Sequence, residues 1–231
     1  MFNGKMKALT FSYDDGVTQD VRLVEIFNKY GLKATFNLNS GKLGEVRDLT
    51  QGGITFHHNK VDPKDVRHIY EGHEIAAHTL THPRLTTIES DEKIIRQVEE
   101  DRLALSELAG YEVCGFAYPC GGVNYDSRVS GTIRENTGVK YCRTIVPSYS
   151  FDLQKNLYEF MPTVHHVEFE KMTDLAEKFL SSAPDRPTLF YIWGHSYEFD
   201  VHDNWDKFED FCKMISGKSD VFYGTNKECL L

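Results

Sequence analysis

His78-Thr79-Leu80-Thr81-His82 carries two imidazoles separated by three residues. At that spacing both rings can turn toward one metal ion, from a helical turn or from a tight loop folded back on itself. The pair follows the apolar run Glu74-Ile75-Ala76-Ala77 and precedes Pro83, so it reads as a loop leaving the end of a strand. Such loops commonly carry chemistry. A second cluster, Asp14-Asp15-Gly16, closes the β-prone run Lys7 to Ser12. Alone it could be a plain turn. Two adjacent carboxylates at a strand end point different ways, however, so one can bind an ion while its neighbour takes a proton from water. One Asp and two His leave coordination positions open, as a catalytic metal requires.

The elements that must position these groups alternate between strand and helix. Strands are expected at Lys7 to Ser12, Lys33 to Leu38, Glu74 to Ala77, Val113 to Ala117, Val139 to Ile145, Leu157 to Met161, Leu189 to Trp193 and Val221 to Tyr223. Helices fall between them: one capped by Thr18 and stopped by Gly31, a short one opened by Asp62-Pro63, and a long one capped by Ser90 and closed at Gly110. Further helices cover about Asp126 to Asn136, Thr173 to Leu180 and Trp205 to Ile215. The acidic patch Glu99-Glu100-Asp101 of the long helix reads as a solvated face. Residues 39–59 are Gly-rich and irregular, with Ile54 to His58 as a possible extra strand, and read as an inserted lid or wall over one face. Alternation of this kind means parallel pairing. With no glycine fingerprint for a dinucleotide, the expected fold is an α/β distorted or incomplete (β/α) barrel of seven to eight parallel strands, in a single domain. In such a barrel the strand ends that carry Asp14-Asp15, His78 and His82, Pro119-Cys120-Gly121 and His195 converge on one mouth.

The 231 residues, 40% hydrophobic, suffice for a sizeable core. A net charge of -9, scattered rather than blocked, argues against nucleic acid as partner and fits an uncharged or cationic substrate. No run approaches the roughly 20 apolar residues of a membrane span. Five cysteines without a Cys-x-x-Cys pair, and no apolar leader pattern, lead to the expectation of a reduced, cytoplasmic protein. The oligomeric state is not legible.

The motifs, in their order, resemble those of the polysaccharide deacetylases (carbohydrate esterase family 4). Phe11-Ser12-Tyr13-Asp14-Asp15-Gly16 looks like the first motif, which implies Asp14 as general base and Asp15 as metal ligand. His78-Thr79-Leu80-Thr81-His82 is similar to the second, His-Ser/Thr-x-x-His, whose two histidines complete the metal site. Ala117-Tyr118-Pro119-Cys120-Gly121 resembles the third, Arg-x-Pro-x-Gly, with Ala117 in place of the arginine. The resemblance implies that the Cys120 N–H helps hold the oxyanion, with Tyr118 and Pro119 beside the substrate. Leu189 to His195 looks like the fifth motif, with His195 as general acid and Trp193 where a leucine lines the acetyl pocket.

The fourth motif, Asp-x-x-Asp-Trp, is absent, and Val139-Lys140-Tyr141-Cys142-Arg143-Thr144 stands in its region. Arg143 could fill the space that Ala117 vacates and hold Asp14, or it could point outward to solvent. Of His165-His166 at most one is expected to face the mouth, and His166 is taken as the substrate contact; His57-His58 read as surface residues. The implied function is a metal-dependent deacetylase, with zinc the expected ion at Asp15, His78 and His82, acting on an N-acetylated sugar, oligosaccharide or related small molecule. An O-acetyl esterase, another amidase, or a non-catalytic carbohydrate-binding relative are the alternatives.

Overall fold

In the computed structural model, which describes residues 2–231, the central strand β1 (Lys7–Asp14) is buried along its whole length. A strand covered on both faces usually reads as continuously apolar; this one alternates. Leu9, Phe11 and Tyr13 join the main apolar core, where Phe11 and Tyr13 meet Phe27 and Phe208. Thr10, Ser12 and Asp14 take the opposite face and find hydrogen-bond partners there. The barrel interior is therefore polar along Thr10, Ser12 and Asp14, with a small apolar cluster of Ala8, Phe160, Leu189 and Tyr191 at its other end, and the helices cover the apolar outside.

After β1 come helix α1 (Asp20–Tyr30), β2 (Ala34–Leu38), the hairpin β3 (Asp48–Gln51) and β4 (Ile54–His57), α2 (Val66–Ile69) and β5 (Glu74–Ala77). Then follow α3 (Asp91–Ala109), β6 (Gly115–Ala117), α4 (Ser127–Asn136), β7 (Tyr141–Arg143), β8 (Val164–His165) and α5 (Phe169–Ser181). The chain finishes with β9 (Thr188–Gly194), α6 (Glu198–His202), α7 (Trp205–Ile215), β10 (Val221–Tyr223) and α8 (Asn226–Leu230).

Seven strands form one parallel path in the order β7-β6-β5-β2-β1-β9-β8, and β10 pairs in parallel with the first half of β1. The ring comes close to closing between β7 and the segment that leads into β8. Arg143 makes a single parallel bridge to Phe160, and a few residues on, Val164 and His165 pair with Ile192 and Trp193. This is the expected distorted (β/α) barrel. Crowding inside it fixes at least one residue type: a Cβ at Gly115 would lie 2.1 Å from the Tyr141 hydroxyl, so only glycine fits.

Helix limits follow their local signals where those are strong. Ser90 caps α3 by accepting from Lys93 N–H, and Gly31 and Gly110 end their helices in the left-handed region. Thr18 is not a cap, contrary to expectation. Helix α1 begins after Gln19 with no side-chain cap, and the Thr18 N–H instead donates to the Asn59 carbonyl of the returning insertion. The strand expected at Leu157 to Met161 is also corrected: Leu157–Glu159 is a 3-10 turn, and the regular pairing starts at Val164. The insertion does hold a hairpin. It is pinned to the loop after β1 by an antiparallel bridge between Val17 and Lys60 and by the Val61 N–H donating to Gly16.

Candidate active site

Alternation along β1 turns Asp14 into the barrel, and Asp15 follows with φ 84. Thr79, His82 and Cys120 likewise adopt positive φ, so four of the eight described non-glycine residues in that region belong to the three loops of the site. Such conformations persist only where their surroundings over-determine them. For the histidine loop the supports are visible. Asn39 Nδ2 donates to the His78 and Thr79 carbonyls, the Thr79 hydroxyl accepts from His82 N–H, and Gln97 Oε1 accepts from Thr81 N–H.

His78 is fully enclosed. Its Nδ1 lies 2.8 Å from the Ala117 carbonyl, which can only accept, so Nδ1 carries the proton and Nε2 keeps its lone pair for the cavity. Burial pushes its pKa down to about 4 and keeps the ring neutral. Burial also lowers His82, whose Nε2 lies 3.6 Å from Asp15 Oδ1. Asp15 is pushed up by burial, but the Lys60 ammonium and a hydrogen bond from His58 bring it well below the usual carboxylate range. One carboxylate oxygen and two imidazole nitrogens of Asp15, His78 and His82 thus lie within 4.8 Å of one another. A negative carboxylate and two neutral imidazoles with lone pairs free are a donor set that fits a divalent ion with open positions.

These three line a cavity of about 270 Å³ together with Asp14, Tyr118, Cys120, Gly121, Ile145, Trp193, His195 and Tyr197. Asp14 is ion-paired with the buried Arg143, which donates to both of its oxygens, and Asn37 Nδ2 donates to Oδ1 at 2.8 Å. Burial acts to raise Asp14, yet the Arg143 charge, helped by His78 and His195, holds it below its ordinary value. The guanidinium carbon also sits 4.4 Å from the centre of the Trp193 ring, so Trp193 covers Arg143 while lining the cavity.

His195 Nδ1 is 3.1 Å from Glu198 Oε2, and the same oxygen accepts from the His195 backbone N–H at 2.9 Å and from His166 Nε2 at 2.8 Å. Burial opposes protonation of His195, but Glu198 prevails and raises it to about 9, while Glu198 itself is held well below its usual range. An ionised Glu198 can only accept, so His166 carries its proton on Nε2, and its Nδ1, 3.1 Å from the Tyr13 hydroxyl, accepts from it. His195 is thereby anchored through Nδ1 and presents Nε2.

The structure brings Asp14, Asp15, His78, His82, Tyr118, Cys120, Trp193 and His195 to one cavity, with Arg143 directly behind Asp14. It corrects two members of the expected set. Pro119 is buried and does not line the cavity, where Gly121 does instead. His166 is 2% exposed and acts from behind Glu198, so it is no substrate contact; His165 does not line the cavity either. His58 is also corrected: it is buried, with Nε2 3.3 Å from Asp15 Oδ2, whereas its neighbour His57 is exposed. Asp101 is no part of a solvated face. It is enclosed and accepts from Ser40 N–H and hydroxyl and from His78 N–H.

Lys60, Glu198, Ile145 and Tyr197 were missed, and only Glu198 left a signal, its three-residue offset from His195. Tyr197 stacks on Phe56 of the hairpin at 5.0 Å, so the insertion buttresses one wall of the cavity.

The family model described as polysaccharide deacetylase matches residues 2–141. That span holds Asp14, Asp15, His78, His82 and Cys120 but stops short of Arg143, Trp193, His195 and Glu198. No curated protein matches the sequence. Among solved structures, a peptidoglycan deacetylase from Bacillus subtilis is similar with TM-score 0.55 at 16% identity, over 97% of this chain and 90% of that one. A family 4 acetyl xylan esterase from Clostridium thermocellum, in complex with a cobalt ion, gives 0.56 at 15% identity, over 96% and 90%. A CE4 family pseudoenzyme from Bacillus anthracis gives 0.52 at 18% identity, over 100% and 67%. The chain spans 55% of the length of a Streptococcus pyogenes deacetylase that it also matches, over 59% of its own length, at TM-score 0.47 and 20% identity. At these identities the likeness speaks for the fold.

Proposed function

The chain belongs to the polysaccharide deacetylase family, and from that premise we propose that it is a metal-dependent deacetylase that hydrolyses the acetamide of an N-acetylated sugar or related small compound. The observation that carries this reading is the convergence of a carboxylate base and an imidazole acid on the cavity that holds the Asp15, His78 and His82 donors. A divalent ion held there, zinc by preference, would polarise the acetyl carbonyl and bring the pKa of a water to roughly 7.

Asp14, kept ionised by Arg143, accepts the proton of the attacking water. The Cys120 N–H, which among the described residues donates to no acceptor, donates a hydrogen bond to the oxygen that gains charge. His195, protonated and anchored by Glu198, gives its Nε2 proton to the departing nitrogen. Trp193 and Tyr118 confine the acetyl group.

A binder without turnover would need neither the Asp14–Arg143 pair nor the His195–Glu198 pair, so both support catalysis. An O-acetyl ester could use the same groups. The small cavity and the five free cysteines favour a soluble compound inside the cell over assembled polymer. Acetate release from a panel of N- and O-acetylated sugars, with and without added zinc, tests the reading. Activity on N-acetylated compounds that needs the metal is expected; no release from any compound by metal-loaded protein overturns it.

A further inference from the structure

Lys60 has no role in the reaction as described, yet its side chain is 1% exposed and directed at a metal-ligand candidate. The insertion puts it there, because the bridge between Val17 and Lys60 holds the residue against the loop after β1. Its ammonium donates to the Asp15 main-chain carbonyl and lies 3.2 Å from Asp15 Oδ1. Oδ1 is also the oxygen that lies 3.6 Å from His82 Nε2. The other oxygen, Oδ2, is 3.3 Å from His58 Nε2. A divalent ion that joins Asp15 to His78 and His82 must therefore share its carboxylate with a resident positive charge.

We propose that Lys60 is a positioning residue that competes with the divalent ion for Asp15 and so sets how tightly the site holds it; this rests on reading Asp15, His78 and His82 as the metal site. Without the ion, the ammonium compensates a carboxylate whose burial alone would be costly. With the ion bound, the same ammonium repels it through a nearly dry interior. Coupling between two ligands of one group is reciprocal: what Lys60 contributes to the metal-free fold is withdrawn from metal affinity. The site is thereby built to exist folded and preorganised without its ion, and to hold that ion less tightly than the bare donor set would.

The test uses the full chain stripped of metal, titrated with zinc chloride against a competing chelator, for wild type, Lys60→Met, Lys60→Gln and Lys60→Arg. Lys60→Gln keeps an N–H for the Asp15 carbonyl without the charge. Lys60→Met and Lys60→Gln should bind zinc about 10-fold more tightly or better, within the roughly 5–150-fold range of such couplings, and Lys60→Arg should stay near wild type. Thermal unfolding supplies the second readout: the gap in Tm between zinc-loaded and metal-free protein should widen in both neutral variants, whereas a lysine that merely packs would lower both Tm values alike. If the metal-free neutral variants do not fold, refolding in zinc followed by graded chelator keeps the comparison, with about 10-fold more chelator expected for release. Wild type that binds zinc while the neutral variants bind it no more tightly overturns this inference and leaves the metal site standing. Absence of zinc binding in wild type and in both neutral variants overturns the two together. Binding in the neutral variants alone carries the inference and shows Lys60 to exclude the ion.

Discussion

Arg143, on β7, donates to both carboxylate oxygens of Asp14, on β1, across the barrel interior. The residue paired in register with Arg143 is Ala117, where the family pattern carries its arginine. A guanidinium thus reaches Asp14 from the strand beside Ala117, whose small side chain leaves it room. Neither half of the pair would be tolerated alone at this depth, since removing one partner of a buried ion pair costs roughly 3–5 kcal/mol.

Arg143→Ala should accordingly lose about that much stability at neutral pH, and kcat should fall while bound metal is unchanged. The pH dependence has a definite sign. Asp14 is held below its ordinary value, so its contribution is present above the unfolded carboxylate pKa of about 3.9 and is lost as the pH falls through the lower folded value. Urea unfolding at pH 7 and in acid should show wild type losing more stability than Arg143→Ala. Equal losses would separate Asp14 from Arg143 energetically.

Asp14→Asn and His195→Ala should each lower turnover by roughly 10²–10⁴-fold without loss of fold. Circular dichroism checks the fold and acetate release the turnover. Near-normal kcat in either variant would show that its role lies elsewhere.

Glu198 should control the titration of His195. Burial disfavours the imidazolium, and Glu198 overcomes it to lift the pKa to about 9. The stability this contributes is complete below the unfolded histidine value of about 6.5 and disappears as the pH rises through about 9. Glu198→Gln should move the His195 imidazole resonances to a lower titration midpoint, and the alkaline limb of kcat with them. A midpoint that stays put would mean that Glu198 does not set the acid.

Metal removal should abolish turnover, and added zinc should restore it. Elemental analysis of purified protein should find one divalent ion per chain in wild type and none held firmly in His78→Ala, which loses an enclosed donor fixed by the Ala117 carbonyl. Equal occupancy in the two would move the ion to other ligands.

The sequence by itself determined the barrel and the mouth. Strand and helix alternation is a local signal, helix ends such as Ser90, Gly31 and Gly110 are written in single residues, and Asp14-Asp15 and His78 to His82 are contiguous patterns tied to strand ends. The tertiary structure decided everything that depends on which face a side chain takes and what meets it from far along the chain. Arg143 lies 129 residues from Asp14, and whether it pointed inward was open until the pairing of β6 with β7 set its register beside Ala117. His166 and Asp101 are ordinary polar letters in sequence, yet the fold encloses them and uses them to hold Glu198 and His78. Lys60 and His58 reach Asp15 only because the insertion folds back on the loop after β1. A motif records which groups can react. The long-range contacts that fix the charge and orientation of those groups arise only when the closing barrel shuts out water and most buried polar atoms must find their partners within the protein.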